Sequence, residues 1–448
     1  MAAGGFLPAA ATYDDRVSNT APRSLVDQLD AMGPAGLRRA ARDASAMFAA
    51  DVSAPAPAQV DPVPAVLTAA QWDDLTAGLI QRARLLDAVL ADLYGPRTLL
   101  DNTVAPTAEL LRDPAYLRPA IGLPAPGGHR LFMLGVRVVQ DTDGAWRVIA
   151  DDVEVPQGAG CALEIRRVLS RSAPALYRCT AMRRLNPFFD AVRTELHRRP
   201  AREDRAGRVV VITGDADPML AFDHHRFATL LGAPTVACSA LQATGDAVVL
   251  RAPGGEIDPG DAVDTLLRLV PSAHLDPLDL GPSPIGGVVG LVEAARAGDI
   301  AVVNPVGAGL LENPALREAL PDLCRELLHE DLQLRSADLS DLDRIATSCC
   351  LDPNGGDELV QRPLALRLLM VATADGFSVL SGGIATTLDA ASEAMKDIWV
   401  LQPERSGIAD EPAIDVSTVG SAPGATLALE DRHFRPGERT PPWGIEDV

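Results

Sequence analysis

Asp151, Asp152 and Glu154 stand just before a glycine-bearing loop, 156–160, and Glu164 stands just after it. Carboxylates so grouped could hold magnesium through oxygen, although in an acidic chain the same run also reads as solvated surface. Asp223-His224-His225 offers two imidazoles and a carboxylate to a metal. Adjacent histidines on a helix point roughly 100° apart, which favours a solvated helix start over a shared ion. Gly307-Ala308-Gly309 follows an apolar run and precedes a helical pattern, so its backbone N–H groups could meet a phosphate. Glu312 occupies the place of the third glycine of a dinucleotide fingerprint, so a tight turn is the plainer reading. Lysine occurs once, at Lys396, and the other 39 of the 40 Lys and Arg residues are arginine. Met395-Lys396-Asp397 is not Gly-Lys-Ser/Thr, which excludes Walker-A chemistry, and a single lysine excludes any mechanism that needs two. Arginine can replace lysine on a surface but not a compact catalytic ammonium. There is no Gly-x-Ser-x-Gly nucleophile elbow.

The chain of 448 residues carries 61 Asp and Glu against 40 Lys and Arg, a net charge of −21 and a pI near 4.7. That balance excludes a basic nucleic-acid surface and a polybasic membrane patch. Length and a hydrophobic content of 47% fit two or three globular domains. Six cysteines without a CxxC pair read as reduced, mostly buried thiols of a cytoplasmic protein. Residues 1–11 lack the basic and long apolar regions of a secretory signal. No run reaches the ~18–20 apolar residues of a membrane span, and the nearest, 364–374, is interrupted by Arg367.

Periodicity places the elements that must position these groups. Residues 24–50 read as a helix capped by Ser24, and 53–65, with Pro55, Pro57, Pro62 and Pro64, as an extended linker. Over 68–95, Trp72, Leu75, Leu79, Leu86, Val89, Leu90 and Leu93 form one apolar stripe that Gly95-Pro96 closes. Runs 131–139 and 146–150 flank Asp141-Thr142-Asp143-Gly144 as a hairpin, and a helix follows from about 162. The apolar run 208–213 reads as a strand buried on both faces of an α/β sheet, continued by a helix at 221–231, a strand at 235–238 and a hairpin at 247–253. Residues 300–303 read as another buried strand, and 366–373 with 377–380 as a second hairpin. From 402 onward Pro, Gly and acidic residues dominate without periodicity, which reads as a disordered tail.

Several segments together resemble the bacterial circularly permuted ATP-grasp proteins of the type associated with alpha-E domain proteins. They include residues 78–86, Leu93-Tyr94-Gly95-Pro96, Asp143-Gly144-Ala145-Trp146 and Gly158-Ala159-Gly160-Cys161-Ala162-Leu163-Glu164. Leu275-Asp276-Pro277-Leu278, Asn304-Pro305-Val306-Gly307-Ala308-Gly309 and Lys396-Asp397-Ile398-Trp399 follow in family order. The resemblance implies an α/β fold with α+β lobes, a circularly permuted ATP-grasp, and a small attached α/β domain like those that precede ATP-grasp folds. It divides the chain into an N-terminal helix and linker (1–64), a helical segment with the metal lobe (65–205), the small α/β domain (206–299), a shortened nucleotide lobe (300–401) and the tail (402–448). The activity implied is ATP-dependent carboxylate–amine ligation with magnesium. The residues carried over are Arg166, Asn304, Gly307, Gly309, Arg367 and Lys396 for ATP, Arg268 and Arg367 as residual catalytic candidates, and Glu164 for the metal, with Asp151 or Asp152 from the acidic cluster as a displaced metal ligand.

The chain departs from the family pattern at several of these positions. Gly135-Val136-Arg137-Val138 has a cation where relatives carry a carboxylate, and Leu163-Glu164-Ile165-Arg166 has an isoleucine in place of an amide. Arg268-Leu269 keeps one of two arginines. Between 336 and 361, with Gly355-Gly356 and no lysine, the chain is too short by this reading for the family's two strands and flap. The expectation is a catalytically degenerate subunit or scaffold that acts with an alpha-E domain protein, a paralogous ATP-grasp ligase or a transglutaminase-like protein. An active ligase with a modified site, or a nucleotide sensor, is the alternative.

Overall fold

The structure, a computed structural model, describes residues 21–403 apart from 53–58, 102, 203–206, 215–216, 252–256, 338–341, 353–358 and 389–393. The tail reading beyond 403, the prolines Pro55 and Pro57, and Gly355-Gly356 lie outside the described residues.

In chain order the first half contains helix α1 (Arg23–Val52), strand β1 (Gln59–Leu67), α2 (Ala69–Leu93), α3 (Thr107–Arg112), β2 (Met133–Gln140), β3 (Trp146–Asp152), α4 (Ala159–Ser172), α5 (Pro174–Cys179) and α6 (Asn186–His197). Then follow β4 (Val209–Thr213), α7 (Pro218–Leu231), β5 (Thr235–Val236), β6 (Leu241–Ala243), β7 (Val248–Arg251), β8 (Ile257–Val263) and β9 (Thr265–Leu269). The chain continues with α8 (Leu291–Ala297), β10 (Ala301–Val303), α9 (Pro314–Leu328), β11 (Thr347–Leu351), β12 (Leu359–Thr373), β13 (Gly376–Val379), β14 (Ile384–Thr387) and β15 (Ala394–Val400).

The main sheet runs β1-β15-β14-β12-β2-β3, with β11 and β13 also on β12, and all its pairs are antiparallel except β1 with β15. Its spine is β12, whose 15 residues pair with four strands: β11, β14 and β13 in turn, and β2 from Leu366 to Val371. A second, parallel sheet runs β10-β9-β4-β5, and a third runs β6-β7-β8. Alternation sends Val210 and Ile212 of β4 into one apolar core and Val209 and Val211 into another, so this strand is covered on both faces, as a continuous apolar run requires. The first core joins that sheet to Val136, Val138, Leu366, Leu368 and Met370 on one face of the main sheet. The second joins it to Met133, Leu369 and Val371 on the other.

Helix α2 starts where Thr68 and Gln71 form a reciprocal capping box. Its stripe from Trp72 to Leu93 is buried, each leucine contributing roughly 1.5–3 kcal/mol, and it packs on α9 and β13. Gly78 lets Leu334 lie on the helix, because a Cβ there would come within 2.5 Å of Leu334 Cγ.

Two expectations change. The segment read as a linker ends in β1, with Pro62 and Pro64 inside the strand; β1 is an edge strand, where a missing N–H donor is tolerated. Residues 336–361 also do contribute two strands, β11 and the start of β12, paired from Thr347↔Pro363 to Leu351↔Leu359. A ladder of five residue pairs needs little chain, and the sequence reading allowed too much for it.

Candidate functional site

Strand β3 delivers Asp151 and Asp152 to opposite faces of the main sheet. Asp151 points into the first core, where Arg82 of α2 grips it with Nε at 2.6 Å and Nη2 at 2.7 Å, while Arg82 Nη1 donates to the Leu334 carbonyl at 3.2 Å. Both side chains are out of water. Asp152 lies on the other face beside Arg137 of β2 and Arg367 of β12, at 3.4 and 3.8 Å. Glu164, one turn into α4, binds Arg167 of its own helix, with Nε at 2.7 Å, and Arg226 of α7 at 3.2 Å. Thus the three carboxylates named for a metal lie in separate places, Asp151 and Glu164 hydrogen-bonded to arginine and Asp152 only beside it. Among the described residues no group of three or more His, Cys, Asp and Glu side chains is arranged to hold an ion.

Lys396 sits in the middle of β15, fully buried. Its Nζ donates to Asp61 Oδ2 at 2.6 Å and to the Cys349 carbonyl at 3.1 Å. Asp61 is its direct register partner on β1 and also accepts from the Val63 and Leu351 N–H groups. Burial alone would depress the ammonium, but the Asp61 charge, with smaller effects of Cys350 and Cys349, leaves its pKa above the ordinary lysine value. The next residue, Asp397, is buried too, and Arg166 of α4 forks onto it at 3.0 Å through both Nε and Nη2. Tyr177 Oη and Trp399 Nε1 complete its shell at 2.9 and 2.8 Å.

The loop after β10 is closed in the same way. Arg268 of β9, wholly buried, donates to the carbonyls of Asn304, Glu154 and Pro305 at 3.3, 2.8 and 3.1 Å, to that of Val270, and to Glu154 Oε2 at 3.4 Å. Glu154 accepts from the Gly309 N–H at 2.8 Å, from Ser272 Oγ at 3.0 Å and from the Ser272 N–H, while Gly307 N–H donates to Ser272 Oγ at 3.0 Å. The N–H groups that could have met a phosphate therefore meet an internal carboxylate or its hydroxyl neighbour. Glu312 turns back to accept the Val153 and Glu154 N–H groups at 2.7 and 2.8 Å. Burial lowers the Arg268 pKa and raises that of Glu312, the latter against those two N–H groups and with help from Asp152 and Glu154. Asn304 Oδ1 accepts from Met133 N–H at 2.7 Å, but its buried Nδ2 has no partner among the described residues.

Asp223 and His224 are buried, not a solvated helix start. Asp223 accepts the Gly158 and Cys161 N–H groups, both at 2.7 Å, and so docks α7 on the first turn of α4. That close approach needs Gly160, whose Cβ would lie 2.3 Å from the Asp223 carbonyl. His224 packs without a hydrogen bond to either ring nitrogen among the described residues, and burial lowers its pKa. Asp276 likewise gathers the N–H groups of Leu278, Gly290 and Val292 at the start of α8. Sequence reasoning missed Asp61, Asp397, Glu154 as an anchor and Arg82. Asp397 carried a signal, being next to Lys396, whereas Asp61 lay in a proline-rich stretch that masked its strand.

The chain belongs to the circularly permuted ATP-grasp type 2 family, whose model matches residues 64–342. It is 42% identical over 283 residues to the uncharacterized protein Rv2567 of Mycobacterium tuberculosis, a match that covers 63% of this chain and 32% of that one. The uncharacterized protein Rv2411c of the same organism is 28% identical over 380 residues (85% and 66%), and sll0335 of Synechocystis 25% over 374 (84% and 74%). The chain thus spans about a third of the length of the first of these relatives. A glutathione synthetase-like effector from Globodera pallida superposes with a TM-score of 0.47 at 10% identity, over 82% of this chain and 97% of that one. Among the described residues no helix is long and apolar enough to cross a membrane.

Proteins of the ATP-grasp class use ATP with magnesium. The residues present here do not fit the metal, because Asp151, Asp152 and Glu164 neither converge nor stand free of arginine. Of the four cations named for nucleotide or catalysis, Lys396, Arg166 and Arg268 are each neutralised by a carboxylate of this chain, whereas Arg367 lies 3.8 Å from Asp152 without a hydrogen bond to it.

Proposed function

We propose that this chain is a catalytically degenerate ATP-grasp homologue that serves as a subunit or scaffold for ligase-pathway partners. An alpha-E domain protein, a paralogous ATP-grasp ligase and a transglutaminase-like protein are the partner classes. The observation that carries this reading is the Lys396–Asp61 pair. A lysine that reached for a phosphate would leave Asp61 charged and alone in the core, and breaking such a pair costs about 3–5 kcal/mol. Binding would have to offset that before it gained anything.

Thermal unfolding with and without millimolar Mg-ATP tests the reading. A site with micromolar Kd would add roughly 4 kcal/mol through linkage. The expected result is an unchanged melting temperature, and co-elution of the chain with at least one of the three partner classes. Stabilisation by Mg-ATP would favour the nucleotide-sensor reading, and ADP release on adding an acid and an amine would favour the active ligase.

A further inference from the structure

Arg137 of β2 and Arg367 of β12 are direct partners across the antiparallel ladder. Opposed residues project to one face with Cβ atoms about 5 Å apart, so two guanidinium groups share one patch and repel. Alternation along the strands sets the patch between two apolar clusters, with Met133 and Leu369 on one side and Val139 and Ala365 on the other. Gly135 leaves room for Asp152, the one carboxylate of the described residues within ion-pair reach of either arginine. Neither contact is a hydrogen bond. Arg137 Nε and Asp152 Oδ2 are both buried and have no hydrogen-bond partner among the described residues. The outer ends of the arginines reach solvent, their side chains being 41% and 28% exposed. Beside them, Gly158 at φ +111° keeps the wall low, since a Cβ there would come within 3.1 Å of Arg367 Cδ.

Two guanidinium forks offer five donors each, and Asp152 satisfies neither well. The patch keeps an excess positive charge in a chain whose net charge is −21. Such a place repels a metal cation and suits an oxygen anion, which planar forks bind through paired charge-assisted hydrogen bonds. We propose that the Arg137–Arg367 patch is a metal-free binding site for a small oxyanion, a phosphate or carboxylate group carried by a ligand. This site does not depend on the scaffold reading, because metal-free anion binding and Mg-ATP binding are measured separately.

Calorimetric titration of the full chain with inorganic phosphate and with succinate, in EDTA at constant ionic strength, tests it. Saturable 1:1 binding of at least one anion is expected, weakened roughly tenfold or more by Arg137→Gln or Arg367→Gln, since hydrogen bonds to charged groups are at stake. Asp152→Asn should strengthen binding by freeing both forks, which a merely structural triad would not do. Arg325→Gln, an exposed arginine paired with Asp322, should change nothing. Melting curves establish that each variant is folded, and if one glutamine variant is not, the other and Asp152→Asn decide. Phosphate alone or succinate alone would support the site and name its preference. No saturable binding of either, affinity like wild type in both glutamine variants, or binding that appears only with added magnesium would overturn it.

Discussion

Asp61 and Lys396, 335 residues apart in the chain, face each other in register across the parallel ladder of β1 and β15, with Nζ 2.6 Å from Oδ2 and neither in contact with water. The pair joins the edge strand to the sheet and ties in β11 through the Cys349 carbonyl and the Leu351 N–H. Arg166–Asp397, Arg82–Asp151 and Arg268–Glu154 repeat the arrangement elsewhere. Lys396, Arg166 and Arg268, the residues expected to face a ligand, each face a carboxylate of the chain.

Asp61→Ala should destabilise the chain by about 3–5 kcal/mol, because it strands a buried ammonium. The double change Asp61→Leu with Lys396→Met should lose clearly less than the sum of the single changes, as coupled neighbours do. Urea denaturation at pH 7 measures both. The folded pKa of Lys396 lies above its unfolded value of 10.5, so its stabilisation is complete below pH 10.5 and disappears as pH rises through the folded pKa. The wild type should therefore lose stability in the alkaline range more steeply than the double variant.

Glu154→Ala removes the acceptor of the Gly309 N–H and the counter-charge of Arg268. A loss of about 3 kcal/mol is expected, at the low end for a buried pair because the carboxylate is one-fifth exposed. Millimolar sulfate should recover part of it, since the vacated N–H groups and arginine suit an anion. A melting temperature indifferent to sulfate would contradict the role given to Glu154.

Glu312→Gln should be neutral or stabilising at pH 7. The folded pKa of Glu312 is raised above 4.5, so the folded state binds the proton more tightly than the unfolded one. Its charge weakens the fold above the folded pKa and has no such effect below the unfolded one. The advantage of the glutamine variant should shrink as pH falls toward 4.5, a trend that paired melting curves across that interval would reveal.

Gly160→Ala places a methyl 2.3 Å from the Asp223 backbone carbonyl, so α4 and α7 must separate. Overpacking of this kind costs about 1–3 kcal/mol, and backbone on one side puts this case at the upper end. Chemical denaturation should show that loss, with Gly245→Ala, which meets open space, as the near-neutral control.

The sequence was legible where one physical signal dominated. The stripe from Trp72 to Leu93, the hairpin of β2 and β3 and the two-faced strand β4 all follow from periodicity and turn chemistry, which the chain carries in short windows. The motifs from Gly78 to Lys396 were enough to place the chain in its family. Strand β9 was not read as such although Arg268 in it was singled out, and β1 was hidden by its prolines.

What the sequence could not state was the partner of each charge. Arg82 meets Asp151 across 69 residues, Arg166 meets Asp397 across 231 and Lys396 meets Asp61 across 335. Whether a lysine in a strand serves a ligand or a neighbouring carboxylate depends on which strand lies beside it, and strand order is set by the packing of the whole sheet. The family motifs in the sequence determined the kind of protein; only the closed tertiary structure decided that Lys396, Arg166 and Arg268 are neutralised from within, because pairing over such separations exists only once the chain has folded.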